Sequence, residues 1–137
     1  MEIWLYLALI AALAAIALAA LFARQVNSSS PGSDRMQELM GAIREGAMAF
    51  IRREYTAVAG FVAIMAILIF VLLDWGRPWG AIAYIFGAFL SALAGFIGMR
   101  IATAANARTA EAARQGGIER ALPLAFRGGG VMGFTVA

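Results

Sequence analysis

The sequence contains no cysteine and no histidine. Disulfides, thiol nucleophiles, zinc sites of the Cys/His type and an imidazole proton relay are therefore excluded from these residues. Lysine is missing too, because all eleven basic residues are arginine, set against eight acids. Charge of either sign is scarce: 14% of the residues are charged, where a soluble domain carries about a quarter. No pattern for binding DNA or RNA is present, and in such a chain the main use of arginine is to decide which loops face the cytoplasm.

What the chain has instead is apolar sequence. Hydrophobic residues make up 63% of it, against about half in a soluble domain, which places it among membrane proteins. Its 137 residues allow three spans of roughly 20 residues each with connections. Three spans seldom enclose a site by themselves. The expected fold is all-α, a polytopic transmembrane helix bundle.

The first apolar run, "IWLYLALIAALAAIALAALFA", covers residues 3–23 without a charge. A cleaved signal peptide is the rival reading, and the small residues at its end keep that open. Glu2 stands before the run and Arg24 after it, however, whereas a signal peptide opens on basic residues, so a retained helix is favoured. Residues 24–34, "RQVNSSSPGSD", read as a loop by turn chemistry. Asp34 is placed to cap the next helix, with Gln37 able to reach back to it.

From about residue 35 an amphipathic helix is expected, with Met36, Leu39, Met40, Ile43, Ala47, Phe50 and Ile51 on one face. The other face holds Arg35, Glu38, Glu45, Arg52 and Arg53. It either lies on the membrane or packs on neighbouring helices, and a part in gating has no independent support. No turn signal separates it from the second span, residues 57–73, so the two read as one rod. The turn "DWGRPWG" follows, with Trp75 and Trp79 as interfacial aromatics and Pro78 opening the third span at 78–99.

Small residues recur every fourth position in the third span, as Gly87, Ser91 and Gly95 and again as Ala94, Gly98 and Ala102. Such stripes let helix backbones approach closely in lipid, although glycine and alanine are also simply frequent there. Two stripes on one helix call for neighbours on two sides. Polar helix then continues to about residue 114, ahead of Gly116 and Gly117, and the short segment "IERALPLAFR" leads to Gly128, Gly129 and Gly130. These glycines read as a close-packed start to a fourth, incomplete span from about residue 128. A phosphate cradle is the lesser reading, because no Gly-Lys-Ser/Thr ending follows. The ten residues from Gly128 to Ala137 cover about 15 Å, half a bilayer.

Orientation follows from arginine. Five flank the first connection (24, 35, 44, 52 and 53), five follow the third span (100, 108, 114, 120 and 127), and the turn between spans two and three has only Arg77. The amino terminus is expected outside. No acid lies within an apolar run, which argues against a small stand-alone antiporter. Glu38, Glu45, Glu54, Glu111 and Glu119 are scattered among arginines at spacings of ordinary ion pairs, with none selecting Mg²⁺.

Three stretches are more specific. "RMQELMGAIREGAMAFIRREY", "GAFLSALAGFIGMRIATAANARTAEAAR" and "ALPLAFRGGGVMGFTVA" resemble, in order and spacing, the amino-terminal region of the membrane-integral ion-translocating pyrophosphatases. Residues 1–34 match only as an apolar helix with a loop after it. The resemblance implies a homodimer of roughly sixteen spans per subunit in two concentric rings, with these early spans in the outer one. It implies hydrolysis of inorganic pyrophosphate with Mg²⁺ on the cytoplasmic side, export of H⁺ or Na⁺, and in some members a need for K⁺. The ligand residues of that family lie on later helices, so no catalytic, cofactor-binding or metal-binding residue carries over to this chain. The 137 residues are accordingly expected to be an inactive amino-terminal fragment of a pump; a stand-alone membrane scaffold or accessory subunit is the alternative.

Overall fold

The computed structural model describes residues 2–73 and 78–137, and the side chains from residue 3 onward. Three α-helices make up nearly all of these residues and no strand occurs among them: α1 (Glu2–Ser28), α2 (Asp34–Leu72) and α3 (Trp79–Val136). Each is long and apolar enough to cross a membrane. The all-α membrane bundle is thus what the chain forms. The expected turn at Asp74, Trp75 and Arg77 falls outside the described residues; Trp79 opens α3 with its ring largely exposed.

α3 is two helices joined at a break. Gly116 (φ −154°, ψ 26°) and Gly117 (φ 63°, ψ −157°) leave helical geometry, and the second limb, 118–136, folds back along the first, 79–115. The limbs touch where side chains are smallest. Gly98 lies against Met132, and Gly128 against Ala105. α1 and α2 each pack on α3 and not on one another. Val26 of α1, wholly buried, joins Ala105 of the first limb and Leu124 of the second in one core, flanked by Ile101 and Ala112. One turn or so further along, Phe22 and Phe134 meet edge to face with ring centroids 5.8 Å apart.

α2 is the single rod expected from its sequence, but its seam is narrower than the apolar face drawn from periodicity. Met36, Met40, Ala47 and Ile51 turn inward, with Tyr55 next in line, while Leu39, Ile43 and Phe50 stay exposed on the flank. The Tyr55 hydroxyl donates to the carbonyl of Ala92 at 2.6 Å, pinning α2 to the first limb at the depth where Gly95 gives it room. Of the two small-residue stripes, Ala94 and Gly98 are buried and Ala102 half-buried, with Gly98 against Met132 of the second limb, whereas Gly87 and Ser91 remain exposed.

Three local expectations need correction. The cap of α2 is Ser33, not Asp34: its hydroxyl accepts from the Met36 amide, and Asp34 takes the first helical position, where its charge suits the positive end of the helix dipole. Gln37 does not close a capping box on Asp34; it reaches past the cap and donates to the Gly32 carbonyl at 3.2 Å. α1 runs on through Ser28 rather than stopping near Arg24, because Val26 is drawn into the core and the terminal carbonyls find donors in Ser28, Ser29 and Arg108. The segment 118–127 is helix as well, so the second limb starts ten residues ahead of the glycines. Pro123 sits inside it near the beginning, at the loss of one backbone bond to the preceding turn.

Candidate functional site

The sequence offered no site residues, and its three consecutive glycines are not a phosphate cradle. They lie inside the second limb with helical backbone, so their amides are committed to helix bonds. Gly128 faces Ala105 and Gly130 faces the ring of Phe22, where a Cβ would come within 3.0 Å of the ring edge. Close packing is their role.

Polar chemistry collects instead at the far end of the hairpin, beyond the apolar part of the bundle. The first limb presents Arg108, Glu111, Arg114 and Gln115 within two turns, and the segment 29–33 between α1 and α2 passes over them. Arg108 reaches back across the bundle. Its Nε donates to the Ser29 carbonyl at 3.1 Å, its Nη2 to the Asn27 carbonyl at 3.5 Å and its Nη1 to the Ala104 carbonyl at 2.8 Å. One guanidinium thereby satisfies carbonyls at the end of α1 that the helix leaves without partners.

Glu111 is the one charged side chain buried among the described residues, at 4% exposure. Arg114 grips it as a fork, Nε to Oε2 and Nη2 to Oε1, both at 2.8 Å, and Gln115 donates to Oε1 as well. Gly32 closes the other side, so near that a Cβ there would lie 3.2 Å from the Glu111 Cβ. These hydrogen bonds from Arg114, then Gln115, outweigh burial and hold the carboxyl down from 4.5 to about 2. The Arg114 guanidinium is raised in turn.

A carboxyl held low in the folded state stabilises it fully above the ordinary value and ceases to do so as pH falls through the folded value. Wild-type protein is therefore expected to lose stability relative to Glu111→Gln as pH drops from about 4.5 toward about 2. Thermal unfolding of both proteins across that range checks it, and parallel pH dependence would contradict the assignment.

The cleft beside this cluster has a volume of about 200 Å³ and is lined by Ser29 and Ser30, by Arg108, Glu111 and Gln115, and by Arg120 and Arg127 of the second limb. Elsewhere, Glu38 pairs with Arg35 at 2.6 Å on an exposed face of α2. Among the described residues no three acidic side chains gather closely enough to hold a metal ion. The spacing Glu111, Arg114, Gln115, i to i+3 and i+4 on a helix, was the available signal for the one cluster that forms.

A helical hairpin closed on glycine and alanine, two long helices laid against it and a polar cap at one end define an all-α unit of a polytopic membrane protein. The family model for inorganic H⁺ pyrophosphatase matches residues 13–137. The chain belongs to that family. Among its relatives is the K(+)-insensitive pyrophosphate-energized proton pump of Methanosarcina mazei, 43% identical over 136 residues, covering 99% of this chain and 20% of the relative. A second pump of that name, from Moorella thermoacetica, is 43% identical over 122 residues, 89% of this chain and 17% of its own length. The K(+)-stimulated pyrophosphate-energized sodium pump of Thermotoga maritima is 42% identical over 106 residues, 77% of this chain and 14% of its own. The chain thus spans about a fifth or less of the curated relatives it matches. No solved structure matches it.

Proposed function

We propose that these 137 residues serve as scaffold helices of a membrane pump that couples hydrolysis of inorganic pyrophosphate to export of H⁺ or Na⁺. The observation carrying this is the match of residues 13–137 to one family whose named relatives are pyrophosphate-energized ion pumps. The whole protein on this reading is a homodimer of roughly sixteen spans per subunit, with the present helices in the outer of two rings. The exposed stripe at Gly87 and Ser91 supports further helices packing there, since such a stripe in lipid is a packing surface.

Mg²⁺ supplies charge neutralisation to pyrophosphate chemistry, but among the described residues the acids do not form a site that fits it: Glu111 is committed to Arg114 and Gln115, and Glu38 to Arg35. The hydrolytic residues are assigned to helices outside these 137 residues, and the chain alone is expected to be inactive. Relatives named as K⁺-stimulated and as K⁺-insensitive both align with it, so K⁺ dependence is likewise assigned to other parts of the protein.

The amino terminus lies outside and the 29–33 segment, with the arginine cluster beneath it, lies in the cytoplasm. This rests on the arginine distribution. Because the sequence has no cysteine, Ser30→Cys introduces a single reporter. In the protein expressed from its whole gene, with any other cysteines replaced, it is expected to react with a membrane-impermeant maleimide in inverted vesicles and not in intact cells. Labelling in intact cells alone would reverse the orientation. The pump itself is tested by pyrophosphate-driven ion uptake into inverted vesicles.

A further inference from the structure

The cleft at the end of the hairpin has more positive charge than its own residues neutralise. Arg108, Arg120 and Arg127 line it, and Glu111 is the one acid that does so among the described residues. The charge of Glu111 is already balanced by the fork of Arg114. Arg120 and Arg127 are seven residues apart, so they stand about 10 Å apart along one face of the second limb. Both therefore point to the same side. Arg108 approaches from the first limb, fixed in place by the carbonyls of Asn27, Ser29 and Ala104.

We propose that this cleft binds a small phosphate-type anion. Guanidinium groups present paired N–H donors matched to phosphate oxygens, and they keep their charge at any physiological pH. Arg120 and Arg127 close on the anion from the second limb, Arg108 supplies a preset cation opposite them, and Gln115 with the Ser29 and Ser30 hydroxyls offers neutral partners. A volume of about 200 Å³ is below the roughly 300–1,000 Å³ of pockets for drug-sized molecules and suits an ion of a few atoms. The amino-terminal end of the second limb, facing the same region, adds its favourable dipole to the guanidinium charge.

A phospholipid headgroup offers the same chemistry, and depth decides against it. The apolar part of the first limb ends at Met99, ahead of Arg100, and the contacts of Gly98 with Met132 and Ala105 with Gly128 set that boundary near Gly130 on the second limb. Arg127 then lies about 5 Å beyond the boundary, and Arg120 about 15 Å beyond it. The headgroup layer is only roughly 5–8 Å deep on each side. Most of the cleft stands clear of it, within reach of ions in solution.

The test is hydrogen exchange of the protein expressed from its whole gene, in nanodiscs of phosphatidylcholine, with and without inorganic phosphate at ionic strength matched by chloride. Because the readout is local, it stands or falls independently of pump activity. Amides of Ser29, Ser30, Gly32 and 116–121 are expected to exchange about threefold or more slowly at saturating phosphate, since a ligand that binds the closed form suppresses opening. The protection is expected to vanish in Arg120→Gln/Arg127→Gln and to persist, weakened, in Arg120→Lys/Arg127→Lys. Exchange in α2 is expected to match wild type in both variants, which verifies folding. Equal exchange with phosphate and chloride would overturn the proposal. So would protection that appears only when phosphatidylglycerol replaces phosphatidylcholine, because the ligand would then be a headgroup.

Discussion

Gly98→Val is expected to force the two limbs of α3 apart and to cost about 1–3 kcal/mol of stability, the range for overpacking a close contact. A Cβ at Gly98 would lie 2.6 Å from Met132 Cγ, 2.8 Å from its Cβ and 3.3 Å from its Cα. Side-chain rotation can move the Cγ, but not the Cβ and Cα, so relief requires the second limb to shift. That limb also carries Leu124, which packs on Val26 of α1, and Gly130, which lies against Phe22 of α1, so a shift would loosen α1 as well. The check is the thermal unfolding midpoint of the detergent-solubilised whole-gene protein. Gly46→Val, on the polar flank of α2 with nothing within 4 Å of a Cβ in the described structure, is the comparison. A Gly98→Val protein as stable as wild type would show that the limbs do not meet there.

Gly117→Ala is expected to act at the same hairpin by a different cause. With φ 63° and ψ −157°, Gly117 occupies a region of backbone space that is open essentially to glycine alone, and a side chain there costs about 1–3 kcal/mol. Nothing stands within 4 Å of the position its Cβ would take, so the cost is in the backbone itself and not in a clash. Gly116→Ala provides the contrast. Its φ is negative, and the group nearest its Cβ is the flexible end of Arg120, which can swing aside. The same unfolding measurement is expected to rank Gly117→Ala well below Gly116→Ala. The reverse order would place the turn at Gly116.

How much of this was legible in the sequence depends on how local each cause is. The apolar runs, the continuous rod of α2 and the break at Gly116 and Gly117 are written in nearest-neighbour composition. Those features appear in the structure where the residues put them. The ends of helices were less legible because distant residues decide them. Ser28 is helical because Val26 is buried against the two limbs of α3 and because Arg108, 79 residues beyond Ser29, donates to its carbonyl. A turn-rich string such as "VNSSSPGSD" carries no trace of either partner.

Packing stripes show the same limit. Ala94–Gly98–Ala102 and Gly87–Ser91–Gly95 look alike as spacings, and only the fold shows that the first of them is the more buried, with Gly98 against the second limb, while most of the other stays open. The helical state of segment 118–127 depends on contacts that its own residues do not announce. The glycines on either side of it and Pro123 within it argue for a connection, but Ala121 and Leu124 are buried and hold it as helix. The arginine cleft was the least legible feature of all. It draws on three separate stretches, and only the Glu111–Arg114–Gln115 spacing within one of them was readable beforehand.

The central claim is that these helices belong to a pyrophosphate-driven ion pump. Its most direct test uses inverted membrane vesicles that carry the protein expressed from its whole gene, with pyrophosphate and Mg²⁺ added outside and the lumen monitored for acidification and for Na⁺ uptake. One or both ions are expected to accumulate in step with pyrophosphate hydrolysis, and vesicles carrying the 137-residue chain alone are expected to do neither. Folded, membrane-inserted whole-gene protein that neither hydrolyses pyrophosphate nor moves an ion would contradict it, as would hydrolysis by the 137-residue chain on its own.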